Sequence, residues 1–217
     1  MATVGTVSAL EELFALPWSA SSVKVAVPRD DIATSDERLM ADYRGGDASA
    51  FQKLYLRHCD RLHRFILRMA VSTEAEEIFQ EVWMAVVRGR ERYAPTARFT
   101  TYLYSIAHRR SVDRMRAQWR AAEALELREG GIAESDEFSE AAAGQPPAVA
   151  WRASVGAALL AAIAALPAPQ REAFLLQAEG ELSLEEIAEA TATSRETVKS
   201  RLRYANRRLR DALAEWR

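Results

Sequence analysis

The chain has 217 residues, 49% of them hydrophobic, with 9 Gly and 7 Pro, which is enough apolar mass for one large core or two small ones. Its formal net charge of −2 sets it apart from strongly basic nucleic-acid binders, and its single cysteine, Cys59, rules out an internal disulfide. The longest apolar run, Val155 to Leu166, is half Ala and too short to cross a bilayer.

Abundant Ala, Leu, Glu and Arg, with no run of alternating β-branched residues, predict an all-α fold. No basic segment followed by a compact apolar stretch opens the chain, so no signal peptide, no membrane association and a cytoplasmic location are expected. Residues 1–35 are weakly patterned and read as a mobile extension. A first domain is expected over 36–120. Within it, Gly45-Gly46-Asp47 breaks one helix and offers a cap for the next. Phe51, Leu54, Tyr55, Leu62, Phe65, Ile66 and Met69 then form one buried stripe. A third helix carries apolar doublets four residues apart, Ile78/Phe79, Val82/Trp83 and Val86/Val87. A fourth starts near Phe99 or Thr100 and contains Leu103, Ile106 and Val112.

Residues 121–149 are rich in Glu, Ala and Gly and end in Gln145-Pro146-Pro147, the composition of a flexible acidic linker with room for a short helical piece. A second small helical domain is expected over 150–217. Leu159, Leu160, Ile163 and Leu166 mark its first helix, stopped by Pro167, and Gln170 to Glu179 its second, stopped by Gly180.

Local charge is more telling than net charge. His108 to Arg120 holds five arginines and one acid, and Arg195 to Arg217 holds eight Lys or Arg and three acids. Between them, Glu123 to Glu140 carries seven acids and one arginine.

Residues 182–203, LSLEEIAEATATSRETVKSRLR, read as a helix-turn-helix. Ser183 and Glu186 form a capping box for its first helix, and Ser194 caps its second. Leu184, Ile187, Ala188, Val198 and Leu202 face inward. Ser194, Arg195, Glu196, Thr197, Lys199, Ser200 and Arg203 lie on or near the outer face, where a recognition helix reads bases in the major groove. Ala192 stands where such turns favour Gly and positive φ, at a cost of about 1 kcal/mol. A helical hairpin with a solvated basic face is the plainer alternative.

In the first domain, EAEEIFQEVW at 74–83 resembles the polymerase-binding helix of sigma factors, and FTTYLYSIAHRRSVD at 99–113 resembles their promoter-melting helix. With Leu166-Pro167, Gln170-Arg171-Glu172 and the helix-turn-helix in the same order, the chain resembles the small extracytoplasmic-function sigma factors over about 180 residues. The resemblance implies that Glu74, Glu77, Gln80 and Glu81 dock on the clamp helices of the largest subunit of core RNA polymerase, with the second domain meeting its flap. It also implies that Arg98, with the rings of Tyr93 and Tyr102, serves a flipped minus-ten base. His108, Arg109, Arg110, Arg114 and Arg116 would then face promoter DNA, each neutralised phosphate adding about 0.9 to the salt slope. The family often has Trp where Tyr102 stands. These aromatic rings are equally suited to the core.

Thr73 and Glu76 fit a capping box. Thr73 has a second reading, because the chain also resembles a branch of the family switched on by a partner Ser/Thr kinase. A phosphate there adds about −1.5 to −2 charge at a helix N-terminus, next to the acidic docking face. An anti-sigma protein is the other expected regulator. Two rivals fit less well. A response-regulator-like protein needs an α/β receiver domain that the sequence lacks, and an adaptor that does not read DNA leaves the basic last helix unexplained. No enzyme is expected: His58, His63 and His108 show no metal-ligand spacing with Cys59, no phosphate-binding Gly loop occurs, and no cofactor or metal is implied.

Overall fold

The computed structural model describes residues 34–69, 74–129 and 147–216. The expected N-terminal extension up to residue 33, the cap at Thr73 and the middle of the linker, 130–146, lie outside the described residues. The fold is all-α.

Helix α1, Asp36–Arg44, starts at Ser35, whose hydroxyl accepts the Arg38 N–H at 3.2 Å. Gly46 turns the chain at φ 104°, a conformation that suits Gly. Asp47 then accepts the Ser49 N–H at 2.9 Å and opens α2, Ala48–Met69. Helix α3 spans Ala75–Gly89, and α4 spans Phe99–Glu129. The expected apolar stripes meet in one core: Phe51, Leu54, Leu62, Phe65 and Ile66 of α2 pack with Ile78, Val82 and Trp83 of α3 and with Phe99 and Leu103 of α4. Trp83 is fully buried, with its ring edge-on to Phe51 at 5.7 Å and tilted against Tyr55 at 5.0 Å.

Two helices run further than the composition suggested. Residues 121–129, read as linker, continue α4, because AAEALELRE is made of strong helix formers. Pro147, read as the end of the linker, is the first residue of α5, Pro147–Ala164, a position where its fixed φ and missing N–H cost nothing. Helices α6, Ala168–Ala178, α7, Leu184–Ala190, and α8, Arg195–Ala212, complete the second domain. The expected stripe on α5 is only half buried: Ile163 and Leu166 enter the core, whereas Leu159 and Leu160 are 37% and 47% exposed.

The two domains pack together, α2 against α6 and α4 against α7, and the buried apolar set is continuous across them. Phe65 meets Tyr104 edge-on at 5.2 Å, and the Tyr104 hydroxyl donates to the Glu179 carbonyl at 2.8 Å. A Cβ on Gly180 would stand 3.1 Å from the Tyr104 ring and 2.7 Å from the Leu176 carbonyl oxygen, so this close approach needs Gly. The next residue, Glu181, holds φ 53°, a strained conformation for a residue with a side chain.

Burial pushes the Cys59 thiol up to about 11, and its Sγ lies 3.8 Å from the Leu56 carbonyl oxygen. A thiol-reactive reagent at neutral pH should therefore label Cys59 only after unfolding; rapid labelling of the native protein contradicts this packing. Trp83→Ala should lower stability by about 3–5 kcal/mol in urea titrations, with loss of less than about 1 kcal/mol contradicting the central place given to this ring.

Candidate polymerase and promoter interfaces

Ion pairs set the faces of α3 and α4. Glu77 and Gln80 are exposed, the Glu77 side chain by 62%, while Glu74 and Glu81 are partly covered. Arg114 covers them: its Nη1 is 3.2 Å from Glu77, its Nη2 is 3.3 Å from Glu81 and its Nε is 3.7 Å from Glu74. Arg110 adds a contact to Glu81 at 3.4 Å. Arg114 therefore faces the acidic helix, away from the open side expected for it, whereas Arg110, one helical turn earlier, stays exposed with this single contact to Glu81. Arg109 and Arg116 are exposed.

A groove between α3 and α4 is lined by Glu77, Gln80, Glu81, Met84, Arg88 and Arg110. Sequence reasoning missed Met84. It is an exposed apolar side chain four residues after Gln80 on an otherwise polar face, and that pattern was the available signal. At the start of α3, Glu74 is the N-cap residue with no side-chain cap bond, and Glu76 pairs with His63 at 2.6 Å.

Before α4, Arg98 is exposed and its Nη1 donates to the Glu181 carbonyl at 3.2 Å. Tyr93 is buried and Tyr102 half-buried, with ring centroids 5.3 Å apart and both next to Phe99. These rings belong mainly to the core. His108, expected on the DNA side, is only 9% exposed, and its Nε2 lies 3.5 Å from Glu172 of α6. The second domain covers it, which a helical register cannot reveal.

The helix-turn-helix forms as its local chemistry dictates. Ser183 accepts the Glu186 N–H at 3.2 Å while the Ser183 N–H donates to Glu186 at 2.8 Å, completing the capping box. Ser194 accepts the Thr197 N–H at 3.1 Å. Ala192 adopts φ 50° in the turn, as expected. Val198, Leu202, Ala205 and Leu209 are buried, and Ser194, Arg195, Glu196, Thr197, Lys199, Ser200 and Arg203 are exposed together. Arg195 pairs with Glu185 of α7 and with Glu196, which holds its guanidinium at the start of the outer face.

Burial raises the Glu186 carboxyl, but hydrogen bonds from Thr101 and Ser183 and the charge of Arg98 outweigh it and hold the group below the ordinary carboxylate value. Among the described residues, no group of three or more His, Cys, Asp or Glu is placed to hold a metal ion, and no helix is long and apolar enough to cross a membrane.

An acidic helix against a basic one, coupled to a capped helix-turn-helix with a basic outer face, defines a helical transcription protein. Known proteins agree. Residues 54–121 match sigma-70 region 2, and residues 156–209 match sigma-70 region 4. The chain belongs to the sigma-70 family, as an extracytoplasmic-function (ECF) RNA polymerase sigma factor. It is 31% identical to RNA polymerase sigma factor CarQ of Myxococcus xanthus, over 81% of this chain and 96% of that one. It is 32% identical to ECF RNA polymerase sigma factor SigK of Mycobacterium ulcerans (strain Agy99), over 81% and 91%. In fold it is similar to the sigma factor RpoE of Bartonella quintana, solved in complex with the anti-sigma factor NepR, at TM-score 0.61 and 22% identity over 76% of this chain and 96% of that one. It is also similar to CnrH, solved in complex with the cytosolic domain of CnrY, at TM-score 0.56 and 22% identity over 84% and 99%.

The strained turn yields a direct test. Ala192→Gly should raise stability by roughly 0.5–1 kcal/mol, because Gly enters the left-handed region at no steric cost. A destabilised variant in urea titrations contradicts this view of the turn.

Proposed function

We propose that this sigma factor docks on the clamp helices of core RNA polymerase through Glu74, Glu77, Gln80 and Glu81 of α3, with Met84 as an apolar anchor in the same groove. The observation that carries this reading is the groove itself: exposed carboxylates and one exposed apolar side chain share it. Acidic groups there orient a basic partner, and an apolar side chain buried at the centre of the contact adds affinity. The first domain, taken as 36–120, then melts and reads the minus-ten element through Arg98, Tyr102, Arg109, Arg110 and Arg116, with His108 reaching DNA only when the second domain has moved away.

The second domain, taken as 150–217, meets the polymerase flap and reads the minus-thirty-five element. Arg195, Lys199 and Arg203 are exposed on α8 at spacings that follow one helix face. Arg195, positioned by Glu185, is suited to a base edge, and Lys199, Ser194, Thr197 and Ser200 to phosphates. Glu196 sits beside Arg195 and limits which base it accepts. A polymerase subunit of this kind acts in the cytoplasm and needs no catalytic residue or cofactor of its own.

Regulation by a partner belongs to the same reading. RpoE and CnrH were each solved with a protein partner, RpoE with an anti-sigma factor, and the exposed Leu159 and Leu160 offer an apolar surface for one here. Control through a phosphate on Thr73 rests on the sequence: Thr73→Ala should lose promoter activity in cells under inducing conditions, and full activity refutes the switch.

The docking face has its own test. Glu77→Lys with Glu81→Lys should weaken binding to core polymerase at least tenfold, about 1.4 kcal/mol, with an unchanged helical spectrum. Unchanged affinity would remove α3 from the interface.

A further inference from the structure

The turn between α6 and α7 places acidic groups on a row of arginines that neither docking nor base reading uses. Arg61, Arg64 and Arg68 lie on one face of α2. Arg64 reaches Glu179 at 3.1 Å, Arg68 also pairs with Glu179, and Arg61 pairs with Glu181 at 2.6 Å. Arg98 joins them from the segment before α4, bonding the Glu181 carbonyl at 3.2 Å and lying 3.7 Å from Glu186. Thr101 of α4 donates to Glu186 at 2.5 Å. The Glu179 side chain is only 8% exposed, so these arginines are what keep its charge tolerable away from water.

We propose that Arg61, Arg64, Arg68 and Arg98 form a phosphate-binding face for the promoter strand, and that the Glu179–Glu186 turn occupies this face as an internal competitor until the two domains part. The inference rests on the sigma-factor reading above, because Arg98 is the link between this face and the minus-ten strand. Three observations carry it. Four guanidinium groups converge on one side of the first domain, where three carboxylates of the turn meet them, and a row of cations of this kind also suits a chain of phosphates. The same closure buries His108 and engages Arg98, so two of the expected minus-ten groups are tied to the second domain in this arrangement, while the outer face of α8 stays exposed. The turn holds Glu181 in a strained backbone conformation, a common mark of a contact kept for switching.

The test uses the full chain and labelled single-stranded DNA of mixed sequence. Glu179→Gln with Glu181→Gln should bind this DNA roughly tenfold more tightly than the unaltered protein. Its salt slope should steepen by about 0.7 for each arginine released onto a phosphate. Spin labels at positions 49 and 207, in a Cys59→Ser background, should report a longer distance between the domains in that variant. Adding Arg61→Gln, Arg64→Gln and Arg68→Gln should return DNA affinity to the starting level while the domains stay apart. That second variant separates the loss of the phosphate face from mere opening. Equal DNA affinity with and without the two glutamates overturns the proposal. So does a tightening that survives loss of the arginines, or a gain in affinity for core polymerase but none for DNA. Core-polymerase affinity of the unaltered protein, measured in parallel, tests the sigma-factor reading independently of the competitor.

Discussion

A carboxylate removed from water is costly unless cations and hydrogen bonds surround it, and Glu179 is such a carboxylate. Its oxygens are held by Arg64 and Arg68 of the first domain, and its backbone carbonyl accepts the Tyr104 hydroxyl at 2.8 Å. The packing of the two domains depends on satisfying it. Around this point Phe65 and Tyr104 close the apolar side of the contact, Gly180 allows the chain to pass close to the ring, and Glu181 bends out of its preferred backbone region to place its own carbonyl on Arg98. A surface pair would contribute little here. A buried carboxylate set between two arginines is costly to leave unpaired, which favours the arrangement in which both arginines reach it.

The same principle, applied in weaker form, organises the first domain. Trp83 and its aromatic neighbours fix α3 against α2, and α4 closes the other side, so the acidic face of α3 lies next to the basic face of α4. Arg114 bridges three glutamates at the seam. These pairs are half in water and add little stability. Their consequence is electrostatic: the two fields are held side by side and partly cancel at short range, while Glu77 on one side and Arg109 and Arg116 on the other remain open to separate partners. A net charge of −2 for the whole chain conceals both.

Features fixed by neighbours within a few residues were legible in the sequence. The stripes of α2 and α3, the Ser183–Glu186 capping box, the cap at Ser194 and the positive φ of Ala192 all follow from local periodicity or local hydrogen bonding. The resemblance to sigma factors was legible for the same reason, since its motifs are short and in register. What escaped depends on partners distant in the chain. The burial of His108 follows from the second domain, whose Glu172 reaches it, and the turning of Arg114 toward α3 from Glu74, Glu77 and Glu81. Leu159 and Leu160 are exposed although Ile163, on the same helix, is buried, and the apolar Met84, legible among polar neighbours, gained its place only with the groove around it. The extension of α4 to Glu129 was misjudged for another reason: an acidic, Ala-rich stretch is as good a helix as a linker.

The central claim is that this chain gives core RNA polymerase its choice of promoter. Its most direct test is transcription in vitro with purified core polymerase and the genomic DNA of the native host, reading all 5′ ends of the RNA with and without this protein. The account predicts a discrete set of new start sites that share sequence about ten and thirty-five bases upstream and that appear only when the protein is present. The same start sites with core polymerase alone, or none gained on adding protein already shown to be folded, would contradict it.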